Sequence, residues 1–415
     1  MQIKLLSSVV GLSLVASLAV ISITQLAVAE SVEVSLDEVL AQALSESPLV
    51  KSIDAKLQAG ISEALSTRLW KNAELSSSVS IPVSYPDEKG SSEVEVSLAQ
   101  PFRLTNLGLR SALSELISKA SHAEQKRELL ELTERIRLSY ARLWALDQKR
   151  EFLQHAEKRA RKVQEKLNKS ASQGLYSTGE RDLFVAEVAK LAAERRGAEA
   201  EMSKGVAELV SLTNMSLRGK GLIRPFLSEM PSEAEVYNSS LEKGLPVQER
   251  FKLLKAVAEH QLRVAKRDTF PELTPQLVYK HSDDEKEFIG IGISFPLPTS
   301  DRNQAERMKR NAELRAADAQ ERFFSGDNFR EELKLLIESY RASREQAHAY
   351  ETEIVPALKN AVTNFENLLD AGQGSVLQVW QTQSELSDAQ SRALELWVKA
   401  ISERSELSIL VGREI

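Results

Sequence analysis

The sequence predicts a mainly α-helical protein with a small β part, built from two similar halves. Charged residues make up 27% and aromatic residues 6% of the 415 positions, with only 17 Gly and 12 Pro, a composition typical of long helices. The two halves align at a shift of 198 residues, and no glycine or proline occurs between positions 109 and 173. These observations favour an elongated helical molecule over a compact α/β domain.

Residues 1–29 have the pattern of a secretory signal peptide. Lys4 precedes a long apolar stretch, and Ala27 and Ala29 form a small-x-small cleavage site before Glu30. An uncleaved membrane anchor is the alternative, because the apolar stretch is long enough to span a bilayer. The cleavage pattern favours an exported chain that starts at residue 30.

Composition argues against several classes of function. The net charge of −6 and the absence of a long basic block make nucleic acid an unexpected partner. The absence of cysteine excludes disulfides, thiol catalysis, cysteine-ligated metals and a lipidated N-terminal cysteine. The five histidines are scattered, and no catalytic or nucleotide-binding motif occurs. We therefore expect no enzyme activity, no metal site and no cofactor.

Equivalent residues recur at the 198-residue shift along the whole chain after the signal peptide. Examples are Pro48 and Pro246, Gly174 and Gly372, and Ser177 and Ser375. Self-similarity at one shift over this length is the signature of an internal duplication. The first repeat is predicted at residues 30–213 and the second at 239–415, joined by a linker at 214–238 that contains prolines and glycines.

Each repeat is predicted to contain a helix, a β-hairpin and a long helical hairpin. In the first repeat, Ser35 and Glu38 form a capping box at the start of the first helix. A helix over the uninterrupted run would extend roughly 97 Å at about 1.5 Å per residue, too long for a globular domain. It belongs to a coiled coil or to a tunnel wall. In the second repeat, Gly326 and Pro356 should interrupt the corresponding helix.

Four short segments alternate apolar with polar or small side chains, and they form predicted hairpins at residues 75–100 and 273–295. In the last segment Ile289, Ile291 and Ile293 alternate with small residues. Such alternation is typical of transmembrane β-barrels, and equally of amphipathic hairpins packed on a soluble core.

The number of strands adds a constraint. Four strands cannot close a membrane barrel, which needs about 8 or more, and lipid does not tolerate an open sheet edge. If these strands cross a membrane, the chain must form an oligomer. A dimer gives 2 × 4 = 8 strands and a filled barrel, whereas a trimer gives 3 × 4 = 12 strands and an open lumen. The long helices of a trimer could then line a hollow cylinder.

The signal peptide, the duplicated layout and three motifs together carry a resemblance to a known family. The motifs are ISFPLPTSDRNQAE at residues 293–306 and the repeat ends LVSLTN at 209–214 and LSILVG at 407–412. Over residues 35–412 the chain resembles the TolC-like outer-membrane efflux proteins. The phrase FPLPTSDRNQAE is most similar to the CzcC-type branch, which serves cation exporters and other exporters of the resistance–nodulation–division class.

The resemblance implies a homotrimeric, 12-stranded β-barrel in the outer membrane of a Gram-negative bacterium, standing on a periplasmic α-helical tunnel. It implies a passive channel with a periplasmic adaptor protein, an inner-membrane pump and outer-membrane lipid as partners. A duct for type I protein secretion is the alternative. A periplasmic adaptor fits less well because it would not be duplicated around its hairpin, and a structural coiled coil of the envelope would lack the strands.

The resemblance also implies candidate pore-constriction residues near the tips of the helical hairpins. Many family members carry two carboxylates a turn apart where this chain has Gln378 and Gln381. A ring of amides would select charge far less than a ring of carboxylates. The nearest acidic residues are further candidates: Glu180, Asp182 and Asp370. Trp380, between the glutamines, is expected to pack between helices.

Two further sets of residues have an expected role. Small residues near the tips would open grooves for an adaptor, although the glycines also suit helix C-caps. These candidates are Gly174, Ser177, Thr178, Gly372, Gly374, Ser375 and Val376.

At the junction of strands and tunnel, Pro101, Pro296 and Pro298 should end the strands. The residues 299–301, Thr-Ser-Asp, are the expected N-cap candidates for the next helix.

Overall fold

The computed structural model describes residues 33–81, 83, 92–103, 106–171, 178–217, 220–227, 245–269, 272–283 and 286–415. The expected signal peptide lies outside the described residues. The helices are α1 (Leu36–Glu46), α2 (Pro48–Arg68), α3 (Leu107–Ala171), α4 (Thr178–Thr213), α5 (Pro246–Arg267), α6 (Gln304–Ser325), α7 (Asp327–Ala349), α8 (Val355–Asp370) and α9 (Val376–Val411). Among the described residues, no helix is both long and apolar enough to cross a membrane.

The helix boundaries follow local signals in the sequence. Helix α3 has 65 residues, as the run without glycine or proline predicted. The Ser35 hydroxyl accepts the Glu38 N–H at 3.2 Å, and the Glu38 carboxylate accepts the Ser35 N–H at 3.0 Å. This confirms the predicted capping box of α1. Gly326 separates α6 from α7 in the extended conformation, so the predicted interruption is present there.

Pro356 does not break the second long helix. The chain passes from α7 to α8 through a π-helical turn, Tyr350–Ile354, and Pro356 lies in the first turn of α8. In the π turn, the Val355 N–H bonds the Tyr350 carbonyl, five residues earlier. This wider turn accommodates the proline ring, which would clash with the carbonyl four residues back in a regular α-helix.

The strands are β1 (Glu33–Val34), β2 (Glu74–Ser80), β3 (Glu93–Ala99), β4 (Gly221–Leu222), β5 (Thr274–Ser282) and β6 (Lys286–Ser294). Two antiparallel hairpins, β2–β3 and β5–β6, pair through β3 and β5 into one sheet with the order β2-β3-β5-β6. The short strands β1 and β4 form a separate parallel pair. Within the described residues, the outer edges of β2 and β6 have no strand partner.

The four-stranded sheet has one apolar face that is open to the surroundings. One row of directly paired residues across the sheet is Leu75, Leu98, Leu277 and Ile291. Their exposed fractions are 74%, 47%, 51% and 85%. The opposite face carries mostly small and polar residues, for example the row Ser76, Ser97, Val278 and Gly290. The sheet is therefore amphipathic, and its apolar side is uncovered in the single chain.

Four helices pack side by side next to the sheet, and beyond them the longer helices form two hairpins. Helices α2, α3, α5 and α6 pack side by side in that order. Beyond them, α3 packs along α4, and α9 packs along α7 and α8. The two hairpins contact each other mainly through α3 and α9. The chain therefore forms a wall of packed helices, one end of which is connected to the sheet.

A buried tyrosine in α3 connects the helical wall to the two short strands. The Tyr140 hydroxyl lies 2.6 Å from the Val34 carbonyl oxygen and 2.7 Å from that of Ile223. Burial raises the pKa of Tyr140 to about 12. Tyr340, which follows Tyr140 by 200 residues in the second half of the chain, is also fully buried.

Other local features recur at a spacing of 198 residues. Pro48 and Pro246 each occupy the first turn of a helix. Asn214 and Gly412, which follow α4 and α9, both adopt the left-handed conformation with φ of 59° and 84°. The division into repeats at residues 214–238 stays a prediction.

Replacing Tyr140 with Phe should lower the free energy of unfolding by about 1–3 kcal/mol, because buried carbonyls lose a hydrogen-bond donor. It should also remove a pH dependence. The folded-state pKa of about 12 lies above the value of about 10 for an unfolded tyrosine. The stability from this group is therefore complete below about pH 10 and is lost as the pH rises towards 12. Denaturant titrations of both proteins at about pH 8 and about pH 11 measure the effect, and an equal difference at both would contradict it.

Candidate functional site at the hairpin tips

The turn between α8 and α9, residues 370–376, is the second hairpin tip. Gly372 has a φ of 72°, a conformation that side chains with a Cβ rarely adopt. A Cβ on Gly374 would lie 2.5 Å from the Leu369 backbone nitrogen. The turn closes with the Gly372 N–H bonded to the Leu369 carbonyl at 3.0 Å. The backbone itself therefore requires both glycines, whatever partner lies nearby.

The first hairpin tip lies between α3 and α4, and only part of it is described. Gly174 and Ser177 lie outside the described residues, and Thr178 begins α4. Asp182 is exposed and accepts from the Arg181 guanidinium at 3.0 Å. Glu180 is half-buried in the same turn.

An ion pair links the two tips. Lys166 of α3 pairs with Asp370 at the end of α8. Both side chains are more than half exposed, and exposed pairs contribute only about 0–1 kcal/mol. The structure thus brings Asp370 next to the first hairpin, where its charge is partly compensated.

Gln378 and Gln381 lie three residues apart on the exposed face of α9. The opposite face carries Val376 and Val379, which are buried in a cluster between the hairpins. The other buried members of this cluster are Val163, Leu167 and Phe184. The two amides therefore share one face that points away from the packing between the hairpins. Ser375 precedes the helix as its N-cap residue and is exposed.

A buried carboxylate is the main feature of the tips that the sequence did not predict. The Trp380 Nε1–H donates to the Glu187 Oε2 at 3.0 Å, which links α9 to α4. Glu187 is 4% exposed, and its Oε1 is buried without a hydrogen-bond partner. The sequence did contain a signal for this contact, because Glu187 lies on the same face of α4 as the apolar residues Phe184 and Leu191. Trp380 does pack between helices, as expected, and it also holds this carboxylate.

The strand ends lie next to the predicted prolines. Strand β3 ends at Ala99, two residues before Pro101, and β6 ends at Ser294, two residues before Pro296 and four before Pro298. Beyond Pro101, the Phe102 ring makes an edge-on contact with Trp70 at 5.4 Å between centroids.

The predicted N-cap of the helix that follows, α6, was wrong. Asn303, in the left-handed conformation with φ of 58°, precedes α6 instead of one of residues 299–301. Its side-chain amide donates to the Ala265 carbonyl at 2.9 Å, so a tertiary contact with α5 holds this residue at the start of the helix.

The fold defined by this sheet and these hairpins is that of the TolC-like outer-membrane channels, as the sequence resemblance predicted. No protein-family model and no curated protein sequence matches the chain. Solved structures do match over most of its length. The outer-membrane protein VceC of Vibrio cholerae is similar with a TM-score of 0.72 and 18% identity, covering 91% of this chain and 96% of VceC.

Two further structures support the same fold. The CmeC outer-membrane channel of Campylobacter jejuni is similar with a TM-score of 0.74 and 14% identity, over 91% of this chain and 85% of CmeC. The open state of the MtrE outer-membrane channel of Neisseria gonorrhoeae is similar with a TM-score of 0.64 and 16% identity, over 91% of this chain and 89% of MtrE. At these identities the likeness shows the fold, and the CzcC-type branch stays a prediction.

Replacing Trp380 with Phe should loosen the contact between α4 and α9. The Glu187 carboxylate would remain buried without a donor, which costs about 1–3 kcal/mol. We expect faster amide hydrogen exchange in the first turns of α9. Trp70→Phe is the matched control, because Trp70 lies at the sheet end of the molecule. The same exchange rates in both variants would argue against the predicted role of this hydrogen bond.

Proposed function

We propose that this chain is the outer-membrane channel of a tripartite export system. It would form a passive path from the periplasm to the exterior for substrates delivered by an inner-membrane pump and a periplasmic adaptor protein. The observation that carries this proposal is the amphipathic four-stranded sheet, with its uncovered apolar face and its two unpaired edges. The similarity to outer-membrane channels of three bacteria supports the same location.

The apolar face of the sheet fits a lipid environment. Water would surround Leu75, Leu277 and Ile291 in an isolated chain, and each has more than half of its surface exposed. Burying such side chains in hydrocarbon is favourable by about 25 cal/mol per Å² of apolar area. The small and polar residues of the other face would then line a lumen.

The two open edges require other copies of the chain. Unpaired N–H and C=O groups in hydrocarbon each cost several kcal/mol, so a sheet in lipid must close. Pairing the β6 edge of one copy with the β2 edge of the next closes a barrel. Three copies give 3 × 4 = 12 strands and a lumen wide enough to conduct. The helical walls of three copies would then form the periplasmic tunnel, and Pro101, Pro296 and Pro298 would mark its junction with the barrel.

The tips would carry the constriction and the adaptor site. Gln378 and Gln381 project from one exposed face of α9, so three copies would place six amides around the tunnel end. Glu180, Asp182 and Asp370 are secondary candidates, the last two already in ion pairs. For the adaptor we propose the tip residues Gly174, Ser177, Thr178, Gly372, Gly374, Ser375 and Val376. The CzcC-type motif favours metal cations as cargo.

Two experiments test the proposal. Envelope fractionation and detergent extraction should recover the chain from the outer membrane as a trimer that heat dissociates. A soluble periplasmic monomer would refute it. Deleting the gene should sensitise cells to exported compounds, and comparing metals, dyes, antibiotics and detergents identifies the cargo.

Leu277→Arg should prevent stable insertion, because a charged side chain on the lipid face costs about 2–4 kcal/mol at mid-membrane. Gln276→Arg is the matched control, since Gln276 neighbours Leu277 but points to the small and polar face. We expect the first variant to lose the heat-sensitive trimer and the second to retain it. Equal loss in both variants would contradict the assignment of the faces.

Replacing both Gln378 and Gln381 with Asp should make the channel more cation-selective. Six carboxylates in a narrow pore attract cations and repel anions. Reversal potentials in planar bilayers under a salt gradient measure the change, with a severalfold rise in the K⁺ to Cl⁻ permeability ratio expected. Gln346→Asp, on the exposed face of α7, is the control and should leave selectivity unchanged. Unchanged selectivity in the double variant would place the constriction elsewhere.

A further inference from the structure

A groove of about 1190 Å³ lies along the part of α3 that is nearer the sheet. Helix α3 lines it from Ser111 to Glu131, with α2 on one side and with the start of α5 and the end of α9 on the other. At about 1.5 Å per residue, this part of α3 is about 30 Å long. We call this surface the upper groove. It is larger than the ~300–1,000 Å³ of most small-molecule sites, and no described residue of the hairpin tips lines it.

Short side chains line the groove where α2 meets α3. They are Ala64, Ser111, Ser114 and Ser118. The two helices lie very close together beside the groove, because a Cβ on Gly60 would lie 2.2 Å from the Ser121 Oγ. The Ser114 hydroxyl donates to the Ala64 carbonyl and joins the helices at the same level. Small residues that allow this close approach also leave space above them.

The α2 wall of the groove carries an apolar stripe that leads to the sheet. Ile61 and Leu65 line the groove, and Leu69 follows at the same interval of four residues, which keeps all three on one side of α2. Leu65 is 47% and Leu69 63% exposed. Trp70 is also exposed, and Leu75 on the apolar face of the sheet follows in β2. The stripe therefore connects the upper groove to the uncovered face of the sheet.

The wall opposite α2 is also apolar in the part of the groove farther from the sheet. Phe251 of α5 and Phe324 of α6 stack with 4.1 Å between their ring centroids. Leu253 and Leu410 line the same wall. Hydrocarbon that lay between this wall and α2 would be removed from water, which is favourable.

Cations outnumber carboxylates in the lining of the groove. The cationic side chains are Arg68, Lys119, Lys126, Arg127 and Arg250, and the carboxylates are Glu115, Glu131 and Glu249. Glu124, beside the groove, pairs with Arg127 and Arg250, and the cations remain in excess when it is included. The groove is therefore positive in a chain whose net charge is −6, and a positive cleft attracts anions.

Two of these cations have no carboxylate partner. Lys119 pairs with Glu115 at 2.6 Å, whereas Arg68 and Lys126 are exposed and form no ion pair within the described part of the chain. Arg68 is the last residue of α2, next to the sheet, and Lys126 lies on α3 in the part of the groove farther from it. An unpaired ammonium group is available to a phosphate. Lys126 thus offers an anion site at one end of an apolar groove.

The upper groove lies on the same side of α3 as Tyr140. Lys119 and Lys126 precede Tyr140 by 21 and 14 residues, and a helix face drifts by only about 20° every seven residues. Tyr140 contacts the carbonyls of Val34 and Ile223, in segments outside the long helices. Connecting segments run over the outer surface of a protein. In the proposed tunnel the groove would therefore open outwards, between the membrane and these segments.

We propose that the upper groove binds an anionic phospholipid from the adjacent leaflet of the membrane. Its acyl chains would lie against the apolar stripe of α2, and its phosphate would meet Lys126. The chains then point towards the sheet and the head group away from it, which is the orientation that the lipid already has in that leaflet. The membrane source of the lipid rests on the proposed function, whereas the chemistry of the groove does not.

The length of the groove matches this placement of the lipid. Ser114 marks the level of the α2 stripe through its bond to Ala64, and Lys126 lies 12 residues further along α3. These residues extend over about 18 Å. One leaflet contributes about 15 Å to a hydrocarbon core of about 30 Å. A chain that begins at the stripe therefore ends close to Lys126.

The test uses the full chain, purified in a non-ionic detergent and stripped of lipid, with phosphatidylglycerol as the probe. Native mass spectrometry over a series of lipid concentrations counts the lipids that each chain retains. We expect about one phosphatidylglycerol per chain, held roughly tenfold more tightly than zwitterionic phosphatidylethanolamine with the same acyl chains, because the groove is positive. Equal retention of the two lipids would overturn the proposal.

Two pairs of variants separate the groove from the rest of the surface. Lys126→Glu and Leu65→Asp should each weaken binding roughly tenfold, because one repels the phosphate and the other places a charge against the acyl chain. The matched controls are Lys204→Glu and Leu335→Asp, at exposed positions outside the groove, and they should bind as the wild type does. Equal weakening in variants and controls would refute the site.

A phosphatidylglycerol with a photoreactive acyl chain tests the wild-type chain without any substitution. Crosslinks should map to residues 61–69 and to the wall that contains Phe251 and Phe324. Crosslinks confined to the sheet would refute the groove as the site. A fatty acid with the same photoreactive chain is the second probe, and crosslinking by the fatty acid alone would overturn the membrane source.

Envelope fractionation of the wild-type chain tests the proposed channel separately. A chain absent from the outer membrane would refute the channel, while lipid binding in detergent would still decide the groove.

Discussion

The unpaired backbone at the two edges of the four-stranded sheet is the constraint on which the rest of the structure depends. Strands β2 and β6 present N–H and C=O groups that no other described strand satisfies, and the adjacent apolar face has no cover. In water such a sheet invites aggregation. In lipid its edges must pair. Closure with further copies, as proposed, would satisfy both demands at once, and it would make each copy depend on its neighbours. The placement of two helices follows from the sheet, because α3 begins at Leu107 after β3 ends at Ala99, and α6 begins at Gln304 after β6 ends at Ser294.

Away from the sheet, the helical wall is held by polar contacts at a few buried positions. Tyr140 bonds the carbonyls of Val34 and Ile223 midway along the molecule. At the tips, Glu187 and Trp380 connect α4 to α9. Buried polar groups of this kind specify one arrangement of helices that would otherwise slide along apolar seams.

Much of this architecture could be predicted from sequence because its signals are local. The 65 residues of α3, the capping box at Ser35 and the alternation in β6 all depend on neighbouring residues. The N-cap residue of α6 could not be predicted, because Asn303 adopts its left-handed conformation while its side chain bonds the distant Ala265 carbonyl. The pairing of Glu187 with Trp380 joins positions on two helices, and no periodicity reports such a contact. The tip glutamines were predictable as exposed residues of α9, whereas their role depends on how several copies assemble.

The π turn before α8 has a consequence for how the second hairpin is aligned. Buried positions along α7 and α8 include Leu333, Tyr340, Ala347, Val355 and Val362. They recur every seven residues except across the turn, where the interval is eight. One extra residue would rotate the buried face of a regular helix by about 100°. The wide π turn accommodates the extra residue, so that the buried residues of α8 still face α9. The π turn thus keeps the buried residues of α7 and of α8 on the same side of the hairpin. A rearrangement that tightened it would swivel the lower half of the hairpin about its own axis, carrying Lys359 and the tip with it, while the part nearer the sheet stayed in place.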